Sequence, residues 1–144
     1  MRGDLVNSVI HSGGNIRSLS ARSMSGSQVY AGVATLPPGQ TLPTAANLQS
    51  IAQIGKVTLK GATGLAAFSN SVIAADRIGS LVLSTIPGDN GGTPFGVAAL
   101  RITSLSGTVD GKPFRLSHLV SGADANAQLV AQGVTPGDFV VNLL

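Results

Sequence analysis

The chain contains no cysteine, no tryptophan and no glutamate. The absence of cysteine excludes disulfides, thiolate metal sites and cysteine nucleophiles. Charged residues make up only 10% of the chain and aromatic residues 3%, while the mean hydropathy is +0.35. Disordered chains combine low hydrophobicity with high charge, so this composition predicts a folded chain. No apolar run approaches the roughly 18 residues of a membrane-spanning helix, and we predict no membrane span.

The charge pattern gives little sign of a nucleic-acid partner. The net charge is +3, but the nine basic residues are scattered and no two of them are adjacent. The net positive charge results from the absence of glutamate. It does not come from a stripe of basic residues, which is typical of nucleic-acid-binding proteins. We therefore predict no nucleic-acid partner.

The 144 residues correspond to one domain. The first residues lack the apolar core of a signal peptide and lead directly into a strand-like segment. We interpret the chain as a piece of a longer protein.

A short motif recurs four times along the sequence. In each copy an apolar residue is followed by two small or polar residues, a second apolar residue, one spacer and an apolar or small residue. The copies begin at Ile16, Ile54, Ile78 and Ile102, so their separations are 38, 24 and 24 residues. A recurring unit of this size is typical of solenoid proteins.

A β-favouring prelude precedes each copy, and two excursions interrupt the pattern. The preludes contain Val9-Ile10, Val29-Tyr30, Val72-Ile73 and Val97-Ala98. The excursions, residues 34–50 and 85–94, are rich in proline and glycine, which mark irregular chain rather than strands.

These observations predict an all-β fold, a short right-handed parallel β-helix (β-solenoid) of about four turns over residues 1–107. Short strands cannot bury their apolar side alone, but strands stacked about 4.8 Å apart bring equivalent side chains into contact. Right-handedness follows the general rule for parallel crossovers. The predicted core residues are Ile16, Leu19, Ile54, Val57, Leu59, Ile78, Leu81, Leu83, Ile102 and Leu105.

Residues 108–144 abandon the repeat and are predicted to form a C-terminal cap. Asp110-Gly111 indicates a hairpin turn. Residues 123–132 are predicted to form a short helix that begins after Ser121 or Asp124 and ends at Gly133. A last strand is predicted within residues 137–144.

Three segments carry a resemblance to a protein family. They are Asn70-Ser-Val-Ile-Ala-Ala-Asp-Arg-Ile-Gly-Ser-Leu81, Gly91-Gly-Thr-Pro-Phe-Gly-Val-Ala98 and Gly137-Asp-Phe-Val-Val-Asn-Leu-Leu144. In these the chain resembles the C-terminal region of large bacterial secreted or surface proteins made of degenerate β-strand repeats. The resemblance implies a β-helical protein outside the cytoplasm, at the cell surface or extracellular, and it implies no catalytic residues.

One face of the predicted β-solenoid is a candidate ligand site. Arg77 and Arg101 occupy equivalent positions in neighbouring turns, with Gln53 and Asn15 in the same column. Arginine recognises anionic groups through paired donors, so this column is a candidate site for an anionic sugar, phosphate or lipid head group. The alternative is that the two arginines are simply solvated, with Asp76 next to Arg77 reducing their repulsion, and we favour this alternative.

The remaining patterns favour no catalytic, metal or cofactor site. Asp76 aligns with Leu100 rather than with another acid, whereas glycoside hydrolysis needs two carboxyl groups about 5 to 10 Å apart. The 87–93 loop carries one carboxylate, too few for calcium, and His11 and His118 have no metal-ligand spacing. Arg2-Gly3-Asp4 spells an adhesion tripeptide, which we interpret as a chance match.

The sequence therefore predicts a non-enzymatic structural segment, a stalk or spacer at the C-terminal end of a larger protein. Its predicted partners are neighbouring repeats of that protein or a second copy bound through exposed solenoid ends. The alternative function is a carbohydrate- or polyanion-binding module, with polysaccharide as its partner. A polysaccharide-degrading enzyme is the weakest alternative.

Overall fold

The computed structural model describes residues 3–144. They are mostly β-structure, with 52% in strands and 9% in helix. A short 3₁₀ helix, Ala45–Asn47, lies in the first excursion. The other elements, in chain order, are β1 (Asp4–Val6), β2 (Val9–Ser12), β3 (Ile16–Ala21), β4 (Ser23–Ser25), β5 (Gln28–Ala31), β6 (Gln53–Leu59), β7 (Phe68–Ser69), β8 (Val72–Ala75), β9 (Arg77–Ile86), β10 (Phe95–Ala99), β11 (Arg101–Val109), β12 (Lys112–Leu119), α1 (Gly122–Ala131) and β13 (Phe139–Leu143).

The strands form three sheets, which β1 to β9 visit in rotation, whereas β10 to β13 lie only in sheets B and C. Sheet A has the order β1-β4-β7, sheet B the order β13-β10-β8-β5-β2, and sheet C the order β12-β11-β9-β6-β3. The pairings are parallel except for that of β11 with β12, which is antiparallel. Within residues 3–144, β1, β2 and β3 each have a partner strand on one side only.

Equivalent residues of successive repeats lie side by side in sheet C. Ile54 pairs with Ile16 on one side and with Ile78 on the other, and Ile78 pairs with Ile102. The second column is Leu19, Val57, Leu81 and Leu105. These are the pairs that the alignment of the repeats predicts.

The predicted core residues differ in burial according to their strand. Those of β6, β9 and β11 are at most 2% exposed. Ile16 and Leu19 of β3 are only half-buried, because β3 has a partner strand on one side alone.

Glycine allows close stacking beside the isoleucine column. A Cβ atom on Gly55 would lie 2.5 Å from the carbonyl oxygen of Arg17, and one on Gly79 would lie 2.3 Å from that of Gly55. Real Cβ contacts are not this short, so the Ile-Gly pairs of the second and third repeats reflect the tight approach of neighbouring strands.

Tight corners connect the strands of sheet A to those of sheet B. Each corner has a residue with positive φ, and the three are Asn7 (46°), Gly26 (58°) and Asn70 (44°). Asparagine and glycine are the residues that adopt this conformation most readily.

A serine follows each of these corner residues and ties one corner to the next. The Ser27 hydroxyl oxygen accepts a hydrogen bond from the Ser8 N–H, and the Ser71 hydroxyl oxygen accepts one from the Ser27 N–H, both at 3.1 Å. Ser27 and Ser71 are both 1% exposed, so these bonds satisfy polar groups that water does not reach.

The first excursion packs against the outer face of sheet B. Leu36, Leu42 and Leu48 pack against a small cluster, separate from the main core, that includes Tyr30 and Val72. Sheet B is therefore apolar on both faces, with the main core on one side and this smaller cluster on the other.

Residues 108–144 contain the predicted hairpin, helix and last strand. Asp110 and Gly111 both have positive φ, 47° and 82°, and join β11 to β12 as a hairpin. The Ser121 hydroxyl accepts from the Asp124 N–H at the start of α1, and Gly133 follows its end with φ of 69°. The predicted last strand is β13, which lies parallel to β10 at the edge of sheet B.

All four phenylalanines of the chain meet where the cap joins the sheets. The ring centroids of Phe68 and Phe95 are 5.8 Å apart, and Phe139 lies 5.9 Å from Phe95 and 6.1 Å from Phe114. The phenylalanine rings thus form one aromatic cluster within the core. No helix within residues 3–144 is long and apolar enough to cross a membrane.

Candidate functional site

The three predicted ligand-binding residues lie on adjacent strands of sheet C. Gln53 of β6 pairs with Arg77 of β9, and Arg77 pairs with Arg101 of β11. All three side chains are exposed. The strand register thus puts them in one column, which we call the arginine column.

The arginine column is only partly assembled as a site. Gln53 and Arg77 line a groove of about 140 Å³ together with Asn15 and Ile51, whereas Arg101 is not among its lining residues. Asn15 already accepts a hydrogen bond from the Gln53 N–H at 2.9 Å. The groove therefore offers one cation rather than a pair.

Arg77 is also partly neutralised by its neighbour in sequence. Its Nε lies 3.5 Å from the Asp76 carboxylate, and the Asp76 side chain is 12% exposed. The carboxylate remains near Arg77, so an incoming anion would compete with it.

Each of the six aspartates has a structural partner. Most of these partners are backbone N–H groups in turns. The pairs are Asp4 with Arg22 and Ser23, Asp76 with Arg77, Asp89 with the Gly91 N–H, Asp110 with the Gly88 N–H, Asp124 with the Val120 N–H, and Asp138 with the N–H groups of Asn90 and Gly92. The hydrogen bonds from Arg22 and then Ser23 lower the pKa of Asp4 to about 2.

The other candidates from the sequence are not assembled into sites. Within residues 3–144, no three histidine or aspartate side chains come together as a metal site would need. Arg2 of the adhesion tripeptide lies outside the described residues. His11 contacts the carbonyl oxygen of Val33 through Nε2 at 2.5 Å, and its ring lies edge-on to that of Tyr30.

A second groove lies between the two excursions. Its volume is about 260 Å³, and the buried strand residues Val72 and Phe95 are among those that line it. We call it the polar groove, and the polar side chains that line it are Asn7, Gln28, Gln40, Thr41, Asn70 and Thr93.

Hydrogen bonds hold the second excursion at this groove. The Asn90 side-chain amide donates to Asn70 Oδ1 at 3.1 Å and to the Thr93 carbonyl at 2.8 Å. The Asp138 carboxylate accepts from the N–H groups of Asn90, at 2.6 Å, and Gly92, at 3.0 Å. This loop is thus fixed both to the corner at Asn70 and to the segment before β13.

The first excursion is held in a similar way. Gln40 Nε2 donates to Asn47 Oδ1 at 2.7 Å and to the Leu42 carbonyl at 2.9 Å. Asn142 of β13 reaches the Pro43 carbonyl at 3.5 Å. Together with the leucines that pack on sheet B, these bonds place Gln40 and Thr41 at the groove.

The sequence pattern predicted two excursions, although Thr85 and Ile86 of the second lie in β9, and it singled out none of the residues of this groove. Gln40 and Thr93 are 53 positions apart, and only the folding of residues 34–50 back across sheet B brings them together. One feature of the sequence could have indicated the groove. Each excursion is next to a prelude strand in the sequence, and the prelude strands share one sheet.

Comparison of the chain with protein-family models, with curated proteins and with solved structures finds no match.

Proposed function

We propose that this chain is a non-enzymatic structural segment, a stalk or spacer in a larger protein outside the cytoplasm. In this proposal the three sheets form a short right-handed parallel β-solenoid of about four turns, and residues 108–144 close one end. Right-handed crossovers are the general rule for parallel strands. The stiffness of such a segment would come from its backbone ladders and stacked apolar columns.

The observation that carries this proposal is the register of sheet C. The column that begins at Ile16 and the column that begins at Leu19 each continue through four successive parallel strands. Their members in β6, β9 and β11 are buried. A repeat in which each turn packs mainly on its neighbours is suited to spanning distance rather than to enclosing a substrate.

The positions of the aspartates support a structural role as well. All six carboxylates bind an arginine or a backbone N–H, and most of them fix turns and excursions. A catalytic pair of carboxyl groups must instead be available to the substrate.

The exposed edge of β1, β2 and β3 supports neighbouring repeats of a parent protein as the partner. Ile16 and Leu19 at this edge are half-buried members of columns that are otherwise buried. A further turn in the same register would cover these side chains and pair the open strands, which are otherwise prone to association.

Binding to acidic polysaccharides at low and at physiological salt tests this proposal against the polyanion-binding alternative. A structural segment should give no saturable binding to polygalacturonate or heparin. Saturable, salt-sensitive binding would instead support a polyanion-binding role if it is lost in Arg101→Ala and retained in Lys60→Ala. Lys60 is the control because it is an exposed cation outside the arginine column. Release of reducing ends from either polysaccharide would contradict the non-enzymatic part of the proposal.

A further inference from the structure

We propose that the polar groove binds a short section of a neutral carbohydrate. This inference goes beyond the structural role, because it assigns a ligand site to the surface between the two excursions. It rests on the chemistry of the side chains that line the groove, on the way they are held, and on the size of the groove.

The polar groove is rich in hydrogen-bonding groups and contains no charge. Four of its side chains are amides and two are hydroxyls, and no lining residue is ionisable. An amide offers both donors and an acceptor, and a hydroxyl can do either. Sugar hydroxyl groups also donate and accept, so this set matches a neutral sugar better than an apolar ligand.

The same composition disfavours an anionic ligand. A phosphate, sulfate or uronate that entered the groove would lose hydration without gaining a cationic partner, because none of the lining residues is arginine or lysine. The basic residues of the predicted ligand site, Arg77 and Arg101, belong to sheet C, whereas the strand residues of the groove belong to sheet B. The two surfaces therefore differ in ligand class.

Two of the amides are free to bind a ligand. Across residues 3–144, the side chains of Asn7 and Gln28 have no protein hydrogen-bond partner, and both are exposed. Gln28 lies on β5 in the interior of sheet B, where the rest of the strand is buried. It is thus a polar group directed outward from a rigid sheet.

The other two amide side chains are held in place before any ligand arrives. Asn70 is bound by Asn90, and Gln40 by Asn47 and the Leu42 carbonyl. Ligand binding then costs less ordering of loops and side chains, which is the main benefit of a preorganised site.

The size of the groove suits a short section of a sugar chain. Its volume of about 260 Å³ is slightly below the 300 to 1,000 Å³ that is typical of small-molecule sites. The exposed Pro94 gives the lining an apolar part, which a sugar ring can contact through its C–H groups.

The test is an NMR titration of the isotope-labelled chain with four neutral probes, cellohexaose, maltohexaose, mannohexaose and xylohexaose. At least one probe should produce saturable shifts of the side-chain NH₂ signals of Asn7 and Gln28. Because no charges take part, the Kd should be the same at low and at physiological salt. Gln28→Ala should weaken binding about tenfold, the effect of one lost hydrogen bond, and Thr93→Ala should weaken it in the same direction.

Gln53→Ala is the matched control, because Gln53 is an exposed glutamine on a central strand of sheet C. This variant should bind the sugar as the unaltered chain does. The proposal is overturned if none of the four probes shifts the side-chain signals, or if Gln53→Ala abolishes binding while Gln28→Ala leaves it intact. Salt-sensitive binding of polygalacturonate at the groove would overturn the assignment to neutral ligands.

Discussion

Leu81 of β9 and Leu105 of β11 are paired residues of two parallel strands, and both are buried, at 1% and 0% exposure. They come from successive copies of the repeat, 24 residues apart. Contact between equivalent residues of successive strands is the relationship on which the stability of sheet C depends.

Truncation of a central column residue should therefore be strongly destabilising. Leu81→Ala removes a buried side chain between Val57 and Leu105, and such changes cost about 2 to 5 kcal/mol. Lys56→Ala, on the neighbouring strand but exposed, should change the free energy of unfolding by less than about 0.5 kcal/mol. Chemical denaturation measures both, and equal effects would contradict a core built on these columns.

The cap hairpin should depend on the backbone conformation of Gly111. A Cβ atom at Gly111 or at Gly122 would meet no other atom within 4 Å, but only Gly111 has a positive φ, 82°. Gly111→Ala should therefore destabilise the fold by about 1 to 2 kcal/mol. Gly122→Ala, at the first residue of α1, should instead stabilise it by about 0.4 to 1 kcal/mol. Thermal unfolding of the two variants compares them directly, and a loss of stability in both would show that conformation is not the cause.

The Asp4–Arg22 ion pair should make stability depend on acidic pH. The hydrogen bonds from Arg22 and Ser23 lower the pKa of Asp4 from 3.8 to about 2 in the folded chain. Stabilisation by the pair is therefore present above pH 3.8, where the carboxyl group is ionised in both states, and is lost as the pH falls towards 2.

An NMR titration of the Asp4 carboxyl group measures this pKa. Arg22→Gln should return it towards 3.8, and Ser23→Ala should raise it by a smaller amount. High salt should also raise it, because both side chains are exposed to solvent. An Asp4 pKa that is the same in Arg22→Gln as in the unaltered chain would contradict this pairing.

Tyr30 should control stability at alkaline pH. Its side chain is 3% exposed, its hydroxyl group has no hydrogen-bond partner among residues 3–144, and burial raises its pKa from 10.0 to about 12. The unfolded chain then loses this proton at lower pH than the folded chain does, so stability declines as the pH rises from 10 towards 12.

Tyr30→Phe should remove this alkaline decline. It should also raise stability at neutral pH by about 1 kcal/mol, because a buried hydroxyl without a partner carries a desolvation cost. Tyr30 is the only tyrosine and the chain has no tryptophan, so ultraviolet absorbance reports its ionisation without overlap. An absorbance midpoint near pH 10 in the folded chain would contradict the burial.

The sequence was sufficient to predict the strand pairs of sheet C. An isoleucine and a second aliphatic residue recur there three positions apart in each copy, so pairing of equivalent residues stacks both columns at once. The hairpin at Asp110 and Gly111 and the helix after Ser121 also follow from local signals, since turn and cap residues act through their own backbone.

The packing of the first excursion could not be predicted in this way. Leu36, Leu42 and Leu48 have neither strand nor helix periodicity, and their burial depends on contacts with the outer face of sheet B. The polar groove has the same origin, because its residues come from segments that are distant in the sequence. Patterns along the chain predict elements and register, whereas a surface formed by two excursions appears only in three dimensions.

Disulfide formation between paired strands tests the stacked register most directly. The chain has no cysteine of its own, so a double substitution of Ser80 and Ser104, which are paired residues of β9 and β11, introduces a unique pair. Paired residues of neighbouring strands lie about 4.8 Å apart and within disulfide range, whereas residues offset by two positions along the strand are about 8 Å apart and outside it. Under mild oxidation the Ser80→Cys/Ser104→Cys chain should form an intramolecular disulfide, and the Ser80→Cys/Ser106→Cys chain should not, because Ser106 pairs with Val82. Equal disulfide formation in both, or formation only in the offset pair, would contradict the register on which the proposed solenoid rests.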